Sequence, residues 1–255
     1  MQEKFFKFKV AIPARYSSTR LPGKPLLQIA GKPMVQHVYE RACECGAEEV
    51  VIATDDKRIY AACNEFGAKV YMTSAAHTSG TDRLAELAEL CGWKDNDIVV
   101  NLQGDEPDMP AELLVQVARN LHDNPLASIA TLYVDIGNRD EILDPNVVKL
   151  VKDNNNFAIY FSRAAIPYDR DKKITDSKIK DNYFRHLGIY AYRVGFLLNY
   201  SSLEASYMEA VESLEQLRAL SNGCKIHVDR AGCSPGIGVD TMEDLERVRV
   251  NYETI

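Results

Sequence analysis

Four short apolar runs, "KFKVAI", "EEVVIATDD", "AKVYMT" and "DIVVNLQGDEP", alternate with three segments of helical spacing in the first part of the chain. The intervening segments are "KPMVQHVYERACECG", "KRIYAACNEFG" and "GTDRLAELAELCG", each ending on a glycine suited to a helix stop. Strand and helix alternating in this way predict βαβ units around a parallel sheet, and therefore an α/β fold. In open sheets of that kind, ligands collect outside the carboxyl ends of the strands. The polar strand ends "PARYSSTR", "TDD" and "QGDEP" are accordingly expected along one edge.

From about residue 125 the pattern changes. "ASIATLYVDI", "NVVKLVKD", "NFAIYFSR" and "HLGIYAYR" are β-like, and "ITDSKIKDNYF" reads as a polar connection. "EASYMEAVESLEQLRALSNG" reads as one helix stopped by Gly223, followed by a strand "CKIHVD" and a last helix "TMEDLERVRVNYE". Thr241 with Asp244 three residues later forms a capping box for that helix. A length of 255 residues with 46% hydrophobic and 26% charged residues suits one domain over 1–255. Its β-rich arm, roughly within 125–200, would serve a substrate lid or a dimer contact.

A formal charge of −7 argues against a general nucleic-acid binder, which needs a surplus of cations on one face. No run approaches the roughly 20 apolar residues of a membrane span, and no signal-peptide pattern precedes the first strand. Membrane insertion is not expected, and the chain reads as cytoplasmic. The cysteines at 43, 45, 63, 91, 224 and 233 lack paired CxxC spacing, so neither a zinc site nor a disulfide framework is suggested.

Against this acidic background, "IPARYSSTRLPGKP" concentrates Arg15, Arg20 and Lys24 with small hydroxyl residues directly after the first strand. Backbone N–H groups, hydroxyls and cations at a strand-to-helix turn suit a triphosphate. The stretch matches neither GxxxxGK[ST] nor GxGxxG, which disfavours P-loop and dinucleotide readings. Asp105 and Glu106 follow a buried strand in "NLQGDEP", and Asp240 follows a turn in "GVDTMED". Carboxylates so placed are typical Mg²⁺ partners, because that hard ion takes one or two of them and completes its shell with phosphate and water. Read separately, either acid could equally serve a cap or a turn.

Together "PARYSSTRLPGKPL", "HTSGTDRLAE", "NLQGDEP", "YFSRAAIPYDRD", "RHLGIYAYR", "ESLEQLRAL" and "GIGVDTMEDLERV" resemble the 3-deoxy-manno-octulosonate cytidylyltransferases, the CMP-Kdo synthetases of Gram-negative lipopolysaccharide biosynthesis. The resemblance runs from about Val10 to Arg249. It implies a Rossmann-like three-layer sandwich with a mostly parallel sheet, a smaller β-rich dimerisation or substrate subdomain, and a homodimer. The implied reaction is attack of the anomeric hydroxyl of 3-deoxy-D-manno-octulosonate (Kdo) on the α-phosphorus of CTP. By the same resemblance Arg15, Lys24, Asp105 and Asp240 are catalytic, and Asp105 and Asp240 hold Mg²⁺. Ala14, Arg15, Ser17, Arg20, Lys24, Ser79, Arg83 and Asp105 face the nucleotide. Gln103, Arg163, His186, Tyr190, Glu215 and Gln216 match sugar-binding positions. Of these, Arg163 has a planar fork suited to a carboxylate, and Glu215 and Gln216 can accept from and donate to hydroxyls. An 8-amino analogue of Kdo, or another acid sugar such as sialate, is the alternative acceptor.

Overall fold

The computed structural model describes residues 6–17, 21–77 and 79–253. In chain order the strands are β1 (Lys9–Ala14), β2 (Gln28–Ile29), β3 (Lys32–Pro33), β4 (Glu49–Thr54), β5 (Val70–Met72), β6 (Ile98–Asn101), β7 (Ile129–Asp135), β8 (Lys149–Lys152), β9 (Ala158–Ser162), β10 (Phe184–Arg193) and β11 (Ile226–Arg230). The helices are α1 (Met34–Glu44), α2 (Lys57–Glu65), α3 (Gly80–Cys91), α4 (Ala111–Asp123), α5 (Arg139–Leu143), α6 (Ile179–Asn182), α7 (Val194–Tyr200), α8 (Tyr207–Glu212), α9 (Gln216–Ser221) and α10 (Met242–Glu253).

The main sheet runs β11-β7-β10-β6-β1-β4-β5. β1 pairs in parallel with β4 on one side and β6 on the other. The chain therefore reverses its direction of sheet building at β1, which makes the carboxyl ends of β1 and β6 a topological switch point. β10 is antiparallel to both β6 and β7, whereas β11 lies parallel to β7. The sheet is mostly parallel, as the alternation predicts, with one reversed strand set into it.

Period-two alternation along the strands feeds cores on both faces. Val10, Ile12 and Val100 pack with Val35 and Val38 of α1, Ile59 of α2 and Leu114 and Val117 of α4. Ala11, Val51 and Val99 face the opposite way, toward Leu84 and Leu87 of α3, Leu197 of α7 and Leu217 of α9. Helices on both faces of a sheet give the three-layer sandwich. α10 joins a smaller cluster in which Val239, Leu245 and Val248 meet Leu21, Ile29 and Met34.

The β-rich part begins at a fork in β10. Tyr190–Arg193 pair with β6, whereas Phe184 and Arg185 pair with β8, and the register slips between Leu187 and Tyr190. A bulge of this kind bends the strand and re-aims its side chains. β9 continues antiparallel to β8, and Phe157 just before it bridges to His227 of β11, so this part of the sheet curls back on itself. His186 sits at the fork with its ring enclosed by Phe161 and Tyr190, at centroid distances of 5.0 and 5.3 Å. Its Nε2 lies 3.0 Å from the Thr131 hydroxyl. Burial pushes its pKa down to about 3, so the imidazole is neutral at pH 7.

Three features depart from the sequence reading. The single helix expected over 204–223 is broken into α8 and α9 by Ser213, which is left-handed with φ 52°. The break has a tertiary cause. The Glu212 carboxylate accepts from the Ser162 hydroxyl at 2.6 Å and from the Arg163 N–H at 2.9 Å, which holds the end of α8 against β9. The "ITDSKIKDNYF" connection contains α6, because Ile179 and Tyr183 bury against Ile136 and Ile142. Helices α4, α5 and α7 and the two-residue strands β2 and β3 have no counterpart in that reading, although the buried positions 113, 114, 117, 118 and 121 of α4 follow helical spacing. The Thr241 capping box forms as expected, with Asp244 N–H donating to Thr241 Oγ1 at 3.2 Å and Thr241 N–H to Asp244 Oδ2 at 2.9 Å.

Two stability predictions follow from this region. Lys149 is fully buried, and its ammonium donates to the carbonyls of Asp144, Val147 and Arg163 at 2.8, 2.6 and 2.6 Å. Lys149→Met leaves these acceptors unpaired and should cost about 2–4 kcal/mol. The check is a lower urea midpoint at unchanged slope; a midpoint equal to wild type would make the lysine dispensable. His186 takes up a proton near pH 6.5 when unfolded, but only near pH 3 when folded. Its contribution to stability is therefore complete above pH 6.5 and declines as the pH falls toward 3. His186→Gln should flatten the acid side of the stability profile by up to about 1.4 kcal/mol per pH unit between pH 6 and 4. Parallel profiles for variant and wild type would mean that the imidazole protonates freely in the fold.

Candidate active site

A cleft of about 610 Å³ opens at the carboxyl ends of β1 and β6. Pro13, Ala14, Arg15 and Ser17 follow β1 into it, Lys24 enters from the loop beyond, and Gln103, Gly104 and Asp105 follow β6. The two strand ends approach closely because residue 104 is glycine: a Cβ there would lie 2.8 Å from the Pro13 carbonyl oxygen. The far wall comes from Gly80 and Thr81 of α3, Tyr190 and Tyr192 of β10, and the Ser213–Gln216 segment that the α8–α9 break swings inward.

One end of the cleft is charged. Lys24 is buried in a short 3₁₀ turn, Lys24–Leu26. Its ammonium donates to Asp105 Oδ2 at 2.7 Å, the Val239 carbonyl at 2.7 Å and Asp240 Oδ1 at 3.3 Å. The Val239 N–H also donates to the Asp105 carbonyl at 2.9 Å, so the segment leading into α10 is stitched to the end of β6. Glu106 lies behind the pair. Burial, and then the Asp105 and Asp240 charges, push its carboxyl up to about 8, so it is largely protonated at pH 7. Gly238 makes room for it: a Cβ there would sit 2.8 Å from Glu106 Oε1.

The other end is neutral apart from Glu215. Thr81 Oγ1 donates to Glu215 Oε2 at 2.9 Å, and the Tyr200 hydroxyl donates to the Glu215 carbonyl at 3.3 Å. Burial raises the Tyr190 phenol well above its ordinary value, so it stays protonated. Asn101 and Gln216 are buried beside them, with Asn101 Oδ1 and Gln216 Nε2 left without hydrogen-bond partners in the protein.

Of the residues singled out in the sequence, Ala14, Arg15, Ser17, Lys24, Gln103, Asp105, Tyr190, Glu215, Gln216 and Asp240 line this one cleft. Four others are placed off its wall, contrary to a direct-contact expectation. Ser79 caps α3, accepting from the Asp82 N–H at 3.0 Å. Arg83 is fully buried, with its guanidinium committed to Asp55 at 2.7 Å and to the Thr73 hydroxyl, because the ends of β4 and β5 converge on it. Arg163 spends its fork on the carbonyls of Glu212 and Pro145 at 2.8 and 2.9 Å rather than on the cleft. His186 stands behind Tyr190. Arg20 lies outside the described residues. The expectation for Lys24 also changes: all three of its N–H positions are used, so contact with phosphate requires it to give one up.

Sequence reasoning missed Asn101, Tyr192 and Tyr200, which also line the cleft. Asn101 carried a signal, since it is the one polar residue of the buried strand "IVVN".

The charged end fits a hard divalent cation. Asp105 and Asp240 present two carboxylates that already share one cation, Lys24. Among the described residues no group of three or more His, Cys, Asp or Glu side chains could cage a metal. Two carboxylates match an ion such as Mg²⁺ that completes its shell with phosphate oxygens and water.

A family model described as cytidylyltransferase matches residues 10–226. The 3-deoxy-manno-octulosonate cytidylyltransferase of Pseudoalteromonas atlantica is 56% identical, over 94% of this chain and 96% of its own. That of Thioalkalivibrio sulfidiphilus is 55% identical, over 94% and 97%. A solved structure of CMP:2-keto-3-deoxy-manno-octonic acid synthetase complexed with CTP superposes with a TM-score of 0.89 at 44% identity, covering 98% of this chain and 99% of that one. A cytidylyltransferase from Leptospira borgpetersenii, at 17% identity and a TM-score of 0.62 over 98% and 88% of the two chains, shares the fold. Matched almost from end to end, the chain belongs to the cytidylyltransferase family, among the 3-deoxy-manno-octulosonate cytidylyltransferases.

Proposed function

We infer that the chain transfers CMP from CTP to the anomeric hydroxyl of Kdo. The anomeric oxygen bonds to the α-phosphorus, the bond from that phosphorus to the β-phosphate bridging oxygen breaks, and pyrophosphate carries away the electron pair. The hydroxyl proton leaves to solvent. The observation that carries this reading is a single cleft with two chemically unlike ends: Arg15, Lys24 and two carboxylates at one, and phenols, amides and Glu215 at the other. A triphosphate suits the first and a polyol the second.

In this reading Arg15 and Ser17 meet the phosphates, with Ala14 lending backbone. Asp105 and Asp240 are the residues that would hold Mg²⁺, which when bound offsets phosphate charge and acidifies the attacking hydroxyl. Lys24 keeps those two acids together in the free protein. Gln103, Tyr190, Glu215 and Gln216 orient the sugar, so that the two reactants meet in one geometry rather than by collision. Arg163 and His186 act from behind: one fixes Glu212 and with it the Ser213 turn, and the other backs Tyr190. A homodimer that pairs the β-rich part with its copy belongs to the same reading, supported by the exposed Ile159 and Tyr168 there. Among the described residues no helix is long and apolar enough to cross a membrane.

Pyrophosphate release should require CTP together with Kdo. Sialate, sugar 1-phosphates and the 8-amino analogue in place of Kdo should give much lower kcat/KM. Silence with Kdo would overturn the assignment, and a preference for another acceptor would redirect it. Asp105→Asn and Asp240→Asn should each lower kcat by about 100-fold or more and abolish the rate increase on adding Mg²⁺, with circular dichroism unchanged. Wild-type turnover in either variant would remove that aspartate from the machinery.

A further inference from the structure

Buried polar atoms are nearly always hydrogen-bonded, because an unpaired one costs its desolvation. Among the buried side-chain atoms of the described residues that lack a partner, only Asn101 Oδ1 and Gln216 Nε2 belong to residues lining the cleft. Asn101 is 3% exposed and Gln216 7%. Asn101 ends β6, held on both sides by the sheet: its backbone is in register with Ala11 of β1 and Tyr190 of β10. An element so fixed cannot turn to find a partner elsewhere.

The alternation of β6 gives the side chain its address. Val99, two residues earlier, faces the α3, α7 and α9 side of the sheet, so Asn101 faces that side too. This is the hydroxyl-rich end, away from Lys24 and the acids. Tyr192 lines the cleft beside Asn101 and Thr81, and the Thr81 hydroxyl donates to Glu215. Polar side chains thus line this wall from Asn101 to the Glu215 carboxylate, and Asn101 adds an open acceptor. The open donor of Gln216 lines the same cleft.

We propose that Asn101 is a specificity-determining contact of this enzyme, its side-chain carbonyl accepting a hydrogen bond from a hydroxyl of the sugar acceptor. This rests on the acceptor being a polyhydroxylated sugar acid, as inferred above. A site built around an unpaired polar atom rejects an analogue lacking the matching hydroxyl far more strongly than an apolar pocket rejects a missing methylene. In the free protein the orphan oxygen lowers stability, and the ligand relieves it.

The test uses Asn101→Leu, of similar shape but without the carbonyl, in the full chain with CTP and Mg²⁺. The kcat/KM for Kdo should fall 10- to 100-fold, while the KM for CTP changes less than threefold. The melting temperature without ligand should stay equal to or above that of wild type, and the rise on adding Kdo should shrink. A purely structural asparagine predicts the opposite pattern, with a lower melting temperature and little change in the preference for Kdo. Asn101→Ser provides a second arm and should recover part of the Kdo term through its hydroxyl. Should Asn101→Leu fail to fold, wild type assayed with singly deoxygenated Kdo analogues must show one analogue with a loss of at least tenfold, to which Asn101→Ser adds nothing further. Unchanged kcat/KM for Kdo in the variants, or equal losses for Kdo and CTP, overturns the proposal. Failure of the wild type itself to release pyrophosphate with Kdo is a separate result and would instead defeat the acceptor assignment.

Discussion

The ammonium of Lys24 is where three remote stretches of chain meet. It joins the loop after β1 to Asp105 at the end of β6 and to Val239 and Asp240 before α10. Two carboxylates facing one cleft repel each other, and a buried cation between them is the simplest way to hold them within reach of a common ligand. The compensation is incomplete by design of the charges: two acids share one lysine. Glu106 behind them answers the surplus by keeping its proton, pushed up to about 8. With Arg15 also lining this end, the two carboxylates and the two cations come close to balance, and a divalent cation bound by the carboxylates would tip the site toward accepting a triphosphate.

The rest of the fold serves to bring a second, differently built wall to that point. A purely parallel sheet would leave the crevice beyond β6 open to solvent. Here the reversed β10 closes it, and its bulge between Leu187 and Tyr190 turns Tyr190 and Tyr192 toward the cleft while His186 packs behind. The α8–α9 break completes the wall. Glu212 is held by Ser162 and Arg163, so the following residues must turn, and Glu215 and Gln216 reach the cleft rather than continuing along one helix. Arg163 and His186 therefore shape this end of the cleft without lining it.

This division explains what could be read from the sequence. The alternation of β1 to β6 with α1 to α3 depends on local spacing and glycine stops, and it was legible. So was the Thr241 capping box, whose two partners are three residues apart. The meeting of Arg15 and Asp105 was legible through the rule that strand ends share an edge, whereas Asp240, after a turn far along the chain, joined them only through the family resemblance. Not legible were consequences of distant contacts: the break at Ser213, which depends on Ser162 and Arg163, and the inward fate of Arg83, which depends on Asp55 and Thr73. A guanidinium in a polar loop motif looks the same in sequence whether it meets a phosphate or a buried carboxylate.

Lys149 and Asn101 make the same point from inside the protein. Both are polar, both end in buried positions, at 0% and 3% exposure, and both lie on strands of one sheet. Every donor of Lys149 has a carbonyl, so its burial is complete in the free chain and its role is to hold β8 to its neighbours. Asn101 keeps one buried atom unpaired in a side chain that lines the cleft. Folding alone gains nothing from that arrangement, since an apolar residue of the same shape would fill the space without the desolvation cost. A buried group left unsatisfied where a ligand can reach it is stabilised only in the complex, and that difference between free and bound states is the physical form that selectivity takes in this cleft.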